Sequence, residues 1–295
     1  MNKTIIIVAT LNAFAKTATG GNPAGVVLAA DDLDETAMRS IAAKVGLSET
    51  AFVQKSGSAD FKVRFFTPAA EVDLCGHATI AVFSLLFGLR RIRAGRYSQE
   101  TKAGILGVEV QEDGTVFMEQ TLPFFGDAID RGEVAGSLGI GLDSLAPDIP
   151  VQSVSTGLRD IIVPVVSLRE LLSLKPDLDR IAAISEKHGV LGYHAFSLET
   201  KHGSTAHCRN FAPLVGIPEE AATGTSSGAL ASYLFKHGKI TEEQARGLIF
   251  EQGYGMGRPS EILVRLDIEK ENIAGVHVGG RATAAEEKTI SLEDG

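Results

Sequence analysis

The chain has 295 residues, a formal net charge of −9, 44% hydrophobic and 22% charged residues. That length fits one large domain or, better, two compact halves, and the composition supports a sizeable buried core and excludes wholesale disorder. The acidic balance argues against an extended nucleic-acid surface, which needs clustered lysine and arginine, and no run reaches the ~18 apolar residues of a membrane span.

In chain order, the first strand is predicted over Ile5–Ala9. Lys3 before this run superficially resembles a leader, but the run is short, Asn12 interrupts it, and GGNPAGVVLA reads as turn and strand. A strand over Ala24–Ala30 precedes a helix over Asp34–Val45, with candidate caps among Asp31 to Asp34. TAFVQKS and DFKVRFFT are alternating strands around a Ser-Gly-Ser turn at 56–58. A second helix is predicted from about Ala78 to Leu89, and the basic stretch LRRIRAGR, Leu89–Arg96, is expected to close it, where cations complement the helix dipole. Strands at 105–111 and 115–120 flank an EDG turn. After a Gly/Asp/Pro-rich separator at 136–150 come strands near 151–156 and 161–166, a helix near 177–188, and strands at 193–199 and 204–211. A helix over Ser226–His237, a helix opened by Thr241, and strands at 260–266 and 275–279 complete the series.

The two series repeat on residues. RFFTP (Arg64–Pro68) precedes CGHATIAVFSLLF (Cys75–Phe87), and RNFAP (Arg209–Pro213) precedes TGTSSGALASYLF (Thr223–Phe235). Cys75 falls opposite Thr223, Gly76 opposite Gly224 and His77 opposite Thr225. Such a repeat predicts two similar domains facing each other, each aiming a helix N-terminus at a shared cleft; chance similarity of two amphipathic helices is the rival. A helix start beside glycine leaves N–H groups unsatisfied and carries partial positive charge. CGHAT and TGTSSG therefore read as cradles for carboxylate or phosphate, or more plainly as capped helix starts.

His77 is either a satisfied structural histidine or a catalyst. Glu49, where a helix gives way to a strand in GLSETAFV, is either a solvated turn acid or a group presented to a cleft. Between Glu219 and Glu220, before the second cradle, spacing does not choose. Two cysteines, Cys75 and Cys208, build no disulfide framework and suit a reducing cytoplasm. His194, His202, His207 and Cys208 match no zinc spacing, and strand alternation sets His207 and Cys208 on opposite faces. QGYGMGRPS is no dinucleotide fingerprint, because its glycines run toward a strand.

GNPAGVVL (Gly21–Leu28), LSETAFV (Leu47–Val53), RFFTPAAEVDLCGHATIA (Arg64–Ala81), RNFAP with EEAATGTSSGAL, and QGYGMGRPS (Gln252–Ser260) together resemble the PhzF-like phenazine-biosynthesis isomerases of the diaminopimelate epimerase fold. They stand in family order and span nearly the whole chain. The resemblance implies an α+β fold of two pseudo-symmetric domains, each a mostly antiparallel β-sheet wrapped around a central helix. The halves are drawn at 1–124 and 125–280, with 281–295 either a last strand rejoining the first domain or a frayed end. The resemblance further implies a homodimeric isomerase, free of metal and organic cofactor, that moves a proton between carbons of a small carboxylate-bearing substrate. In the phenazine pathway that substrate is trans-2,3-dihydro-3-hydroxyanthranilate.

Carried over by motif, Glu49 resembles the family's acid/base and His77 the histidine that assists it. Glu220 stands where EDPATGSA has a second acidic helper, an aspartate; its extra methylene moves the carboxylate by about one bond length. Asn22, Gly76, Gly224 and Thr225 resemble substrate-binding positions. Related epimerases and racemases use two facing cysteines, and here Thr223 replaces the second, so Cys75 reads as a relic or packing residue. A single carboxyl can run the shift if burial raises its pKa toward neutrality. Two rivals stand beside this reading: an amino-acid epimerase or racemase needing Cys75, and a catalytically inactive carboxylate-binding protein, which the altered EEAATG loop allows.

Overall fold

Short apolar runs punctuated by glycine, proline and polar turns become strands, and the segments at 76–88 and 224–236 become helices buried along most of their length. The computed structural model describes residues 3–283 and 285–293. The chain begins with β1 (Lys3–Ala13), β2 (Asn22–Val27), α1 (Glu35–Val45), β3 (Glu49–Gln54), β4 (Phe61–Phe66) and β5 (Glu71–Val72). Next are α2 (Gly76–Gly88), β6 (Gly95–Thr101), β7 (Gly104–Val110) and β8 (Val116–Gln120). There follow β9 (Phe124–Ala128), α3 (Arg131–Ser137), β10 (Gln152–Ser155), β11 (Arg159–Pro164), α4 (Leu168–Ser173) and α5 (Leu178–His188). Then come β12 (Gly192–Ser197), β13 (Ala206–Ala212), β14 (Ile217–Glu220), α6 (Gly224–Lys236) and α7 (Glu242–Ala245). The last strands are β15 (Leu248–Gln252), β16 (Ser260–Glu269), β17 (Asn272–Gly280) and β18 (Glu286–Glu293). Contacts divide the chain into two compact units, residues 1–119 with 279–295, and residues 120–278.

In the first unit, β1 pairs antiparallel with β18 and with β2, and β2 runs parallel to β3, starting from Ala24 opposite Glu49. β3 pairs antiparallel with β4, β4 parallel with β6, and β6, β7 and β8 form an antiparallel meander. Parallel neighbours need a crossover: α1 supplies one between β2 and β3, α2 the other between β4 and β6. Asp34 caps α1 by accepting from the Ala37 N–H at 2.8 Å, and Gly46 ends it in the left-handed region. α2 is apolar all round, with Ala78, Ile80, Ala81, Val82 and Phe83 wholly buried, and it packs on β1, β2 and β3.

The second unit repeats this ladder. β9, β10 and β11 are antiparallel, β11 runs parallel to β12 from Asp160 opposite Gly192, and β12 pairs antiparallel with β13. β13 then runs parallel to β15, which pairs antiparallel with β16. α6 is the buried crossover helix, packed on β10, β11 and β16. Each unit is therefore a mostly antiparallel sheet wrapped around one central helix, as the fold class expected from the motifs requires.

The repeated Arg-x-Phe-x-Pro strands share one device. Arg64 forks onto Glu71 (Nε to Oε1 2.7 Å, Nη2 to Oε2 2.9 Å) and Arg209 onto Glu219 (2.8 Å for both), each guanidinium lying over the Phe two residues on. These bidentate pairs pin the strand before each central helix to the hairpin that leads into it.

Several elements depart from expectation. The basic stretch does not close a helix: α2 ends at Gly88, Arg90 has φ 56, and β6 begins at Gly95. The stretch 136–150 is no separator, since it carries the end of α3 and a single 3₁₀ turn at Leu142–Ser144 inside the second unit. β6, in polar GRYSQET, and the short β5, β9 and β14 lacked the apolar alternation that marks strands. The last two residues of the expected C-terminal strand lie outside the described residues. Among the described residues no helix is long and apolar enough to cross a membrane.

Gly253, in the left-handed region at φ 78, is required by its surroundings: an added Cβ would lie 2.3 Å from the Arg258 carbonyl oxygen and 2.6 Å from that of Ala221. Gly253→Ala is expected to destabilise the second unit by about 2 kcal/mol or more, lowering its unfolding midpoint by roughly 5 °C, measured by scanning calorimetry.

Candidate active site

Helix starts distinguish α2 and α6 from every other α-helix described. Side-chain oxygens of Asp34, Asp130, Ser167, Asp177 and Thr241 cap α1, α3, α4, α5 and α7, each accepting from the backbone N–H three residues on. At α2 the N-cap is Cys75 and at α6 it is Thr223, and neither side chain makes a capping hydrogen bond. Threonine is a competent cap. Here its hydroxyl instead donates to Glu220 Oε2 at 2.9 Å. Both central helices thus start, with the positive end of their dipole, without the side-chain oxygen cap that the other helices have.

Around the start of α2 the first unit gathers Asn22, Glu49, Cys75 and His77. β2 supplies Asn22, the first residue of β3 is Glu49, and the first turn of α2 brings His77. His77 Nε2 lies 3.2 Å from Glu49 Oε2, while Nδ1 is 3.4 Å from both Asn22 Nδ2 and Cys75 Sγ. Asn22, Cys75 and His77 are buried, and the Glu49 side chain is 17% exposed. Despite its proximity to the imidazole, buried Glu49 Oε2 receives no hydrogen bond of good geometry. A Cβ added to Gly76 would meet only the Met118 side chain, Cε at 3.5 Å and Sδ at 3.8 Å, both ordinary contacts, so no neighbour forbids a side chain there.

Burial opposes charge on every member of this cluster, and the neighbours decide which wins. Burial pushes Glu49 up, but the close approach and charge of His77, aided by Ser48, outweigh it and hold the carboxyl below its usual range. Burial pushes His77 down, but Cys75 and Glu49 more than reverse this, and its pKa stands well above the usual value. Burial pushes the Cys75 thiol up, with Glu49 adding to the rise and His77 opposing it, so of the two groups facing His77 the Glu49 carboxyl is the one favoured as an anion. These directions favour a Glu49 carboxylate facing a protonated His77. This reverses the expectation of a Glu49 raised toward neutrality, because the histidine supplies the missing counter-charge. A charged His77 donates from both nitrogens, so Nδ1 requires the Asn22 amide oxygen or the Cys75 sulfur as acceptor.

At the start of α6 the second unit gathers Glu220, Thr223, Gly224, Thr225 and Gln252. The fully buried Gln252 donates from Nε2 to the Glu220 carbonyl (2.8 Å) and Thr223 Oγ1 (3.1 Å), and its Oε1 accepts from the Thr223 N–H (3.2 Å). This clasp, with Gly253 beside it, shapes the loop that bears Glu220. The two acids are placed differently: Glu219 is held by Arg209, and Glu220 lies beside the helix start, where it accepts from Thr223.

Asp160, Ser226, Asn210 and His194 form a buried polar chain that sequence reasoning missed. Ser226 donates to Asp160, Asn210 Nδ2 donates to Ser226 Oγ (3.3 Å) and lies 3.2 Å from His194 Nδ1. Burial, with Glu220 nearby, pushes Asp160 up to about 6, and burial pushes His194 down to about 3. The available signal was an aspartate opening the apolar strand DIIVPV.

The His194, His202, His207, Cys208 grouping is not assembled as a site. His207 Nδ1 pairs with Glu251 Oε2 at 2.7 Å, and His194 belongs to the Asp160 chain. Among the described residues one trio of metal-type donors does converge, Glu49, Cys75 and His77, within 4.8 Å. Its sulfur sits nearer Nδ1 and its carboxylate faces Nε2, so the ring bridges the two rather than offering one nitrogen to a shared ion.

Comparison with known proteins agrees over nearly the full length. A family model described as phenazine biosynthesis-like protein (PhzC-PhzF) matches residues 11–288. An isomerase of Bacillus subtilis described as uncharacterized is 36% identical, covering 95% of this chain and 97% of its own. The trans-2,3-dihydro-3-hydroxyanthranilate isomerase of Pseudomonas chlororaphis is 32% identical, covering 96% and 98%. The crystal structure of a PhzF-family phenazine biosynthesis protein from Bacillus anthracis is similar with a TM-score of 0.88 at 33% identity, covering 97% and 99%.

The ion pair makes a pH-dependent contribution to stability. His77, raised above its ordinary 6.5, contributes fully below that pH and loses its contribution as pH rises through the folded value. Glu49, lowered from 4.5, contributes above that pH and loses it as pH falls. His77→Gln is therefore expected to lose the most stability near pH 6, about 2 kcal/mol, and progressively less toward pH 10 and below pH 4, measured by urea unfolding. A penalty independent of pH would contradict the ion pair.

Proposed function

We propose, on the premise that the chain belongs to the phenazine biosynthesis-like (PhzC-PhzF) family and is an isomerase, that it moves a proton between two carbons of a small carboxylate-bearing substrate, with Glu49 as the acid/base. The observation that carries this reading is the state of Glu49. It is held ionised by His77, yet its buried Oε2 lacks a well-formed hydrogen bond and so keeps a lone pair for a substrate proton.

Glu49 takes a proton from an sp³ carbon, and the electron pair left behind spreads into the unsaturated system conjugated with the substrate carboxylate. The protonated Glu49 then returns the proton at a different carbon, moving the double bond and regenerating the carboxylate. His77, charged throughout, fixes Glu49 and offsets negative charge as it develops. Asn22 supports the His77 ring. The helix-start N–H groups at Gly76 and at Gly224, with the Thr225 hydroxyl, are proposed to bind the substrate's anionic and polar groups. Glu220 is proposed as a second acidic helper, oriented by Thr223.

The substrate is proposed to be trans-2,3-dihydro-3-hydroxyanthranilate or a similar ring carboxylate, on the strength of the Pseudomonas relative. The same family reading carries a cytoplasmic homodimer and a reaction that needs neither metal nor organic cofactor. An epimerase is the second reading, favoured by the 3.4 Å approach of Cys75 Sγ to His77 Nδ1. Against it, burial raises the thiol, and the opposite position in the repeat is a threonine whose hydroxyl serves Glu220.

Glu49→Gln is expected to lower isomer formation by about 10³-fold with little change in KM, while Cys75→Ser stays within about tenfold of wild type, measured by chromatography of products. Full activity in Glu49→Gln would remove Glu49 from the mechanism; loss of activity in Cys75→Ser with inversion at one carbon would establish the epimerase.

A further inference from the structure

The basic stretch that fails to close α2 has no role in the site above. α2 ends in a turn in which the N–H groups of Leu89, Arg90 and Arg91 donate to the carbonyls of Leu85, Phe87 and Leu86, each at 2.9 Å. α6 ends identically: His237, Gly238 and Lys239 donate to Tyr233, Phe235 and Leu234 at 3.0, 3.1 and 2.9 Å. The residue that must turn left-handed is Gly238 in one copy (φ 63) and Arg90 in the other (φ 56). α1 and α5 also place glycine there, at Gly46 and Gly189. An L side chain is disfavoured in this conformation, so the first unit carries an arginine where its own repeat shows that glycine serves the fold.

The exposed side chains of Arg90, Arg91 and Arg93 have no hydrogen-bond or ion-pair partner among the described residues, in a chain whose net charge is −9. They line, with Ile92, Asp60, Phe61 and Tyr97, a surface pocket of about 440 Å³. Phe61 and Tyr97 belong to one aromatic cluster with Phe83 and offer ring surface. The one acid in the lining is already engaged, since Asp60 Oδ2 accepts from the N–H (2.7 Å) and hydroxyl (2.8 Å) of Ser98. Three guanidinium groups without partners match a multiply charged, tetrahedral anion better than a single carboxylate, because each can fork onto phosphate oxygens.

We propose that the turn after α2 is a binding site for a phosphate-bearing small molecule, held by Arg90, Arg91 and Arg93 beside Tyr97 and Phe61. The site is separate from Glu49 and His77: the 13-residue helix puts about 20 Å between its first turn and this one. It stands or falls independently of the isomerase reading, because its test measures binding alone.

Isothermal titration of the full chain at low salt with pyrophosphate, ADP and adenosine tests it. Pyrophosphate or ADP is expected to bind one per chain, with adenosine at least tenfold weaker and affinity falling steeply with added salt. Arg90→Gly is expected to weaken binding at least tenfold while leaving the unfolding midpoint unchanged or raised, and Arg91→Ala with Arg93→Ala to do likewise for binding. Absence of binding by both anions at millimolar concentration, adenosine equal to ADP, or full affinity in Arg90→Gly would each overturn the proposal. Preference for an acidic peptide over pyrophosphate would overturn it in favour of a protein partner.

Discussion

The constraint on which the rest depends is the burial of an apolar helix inside each sheet. α2 has no polar face to show to solvent, so the strands of the first unit must surround it, and α6 imposes the same on the second. A buried helix brings its first-turn N–H groups into the protein with it, where unsatisfied donors are costly. Every other α-helix described solves this with a side-chain cap. The central two do not, and it is there that the proposed substrate anion would supply the acceptor.

The same helix start sets the charge states of the first unit. His77 occupies the first turn of α2, and the parallel β2–β3 ladder brings Glu49 against it. Burial opposes charge on both groups; each favours the charged form of the other by supplying its counter-charge. The second unit keeps the ladder and changes the chemistry. Thr225 stands at the position of His77, Gly192 at that of Glu49, and a carboxyl appears one strand over, where Asp160 replaces Ala24. Without a cation beside it, that carboxyl is raised to about 6 rather than lowered. One scaffold therefore holds an acid in opposite protonation tendencies, according to whether a cation or a second carboxyl lies near it.

The fold was legible where apolar patterning is strong. Both central helices, the α1 and α5 crossovers and most strands of the two ladders follow from runs of isoleucine, valine, leucine and phenylalanine between turn residues. Polar strands such as GRYSQET were not, because their pairing is decided by neighbours distant in sequence. The same limit applied to the site. Glu49, His77 and Asn22 could be named from motifs, and the structure brings them together, but the lowered pKa of Glu49 depends on a contact across 28 positions. Asp160, Ser226 and Asn210 meet across three elements and left only a stray acid in an apolar strand. Glu219 and Glu220 could not be separated until the Arg209 fork claimed the first. Arg90 read as a dipole-complementing cation because the end of α2 was placed one residue too late and the left-handed turn after it has no mark in the sequence.

The central claim is that Glu49 is held as a base by a charged His77. Its most direct test is ¹⁵N NMR of the His77 ring in the full chain across pH 5 to 9. The account predicts imidazolium shifts at both ring nitrogens at pH 7, and a markedly lower pKa for the ring in Glu49→Gln. A neutral His77 ring at pH 7 in the unsubstituted protein, unchanged by removing the carboxylate, would contradict it.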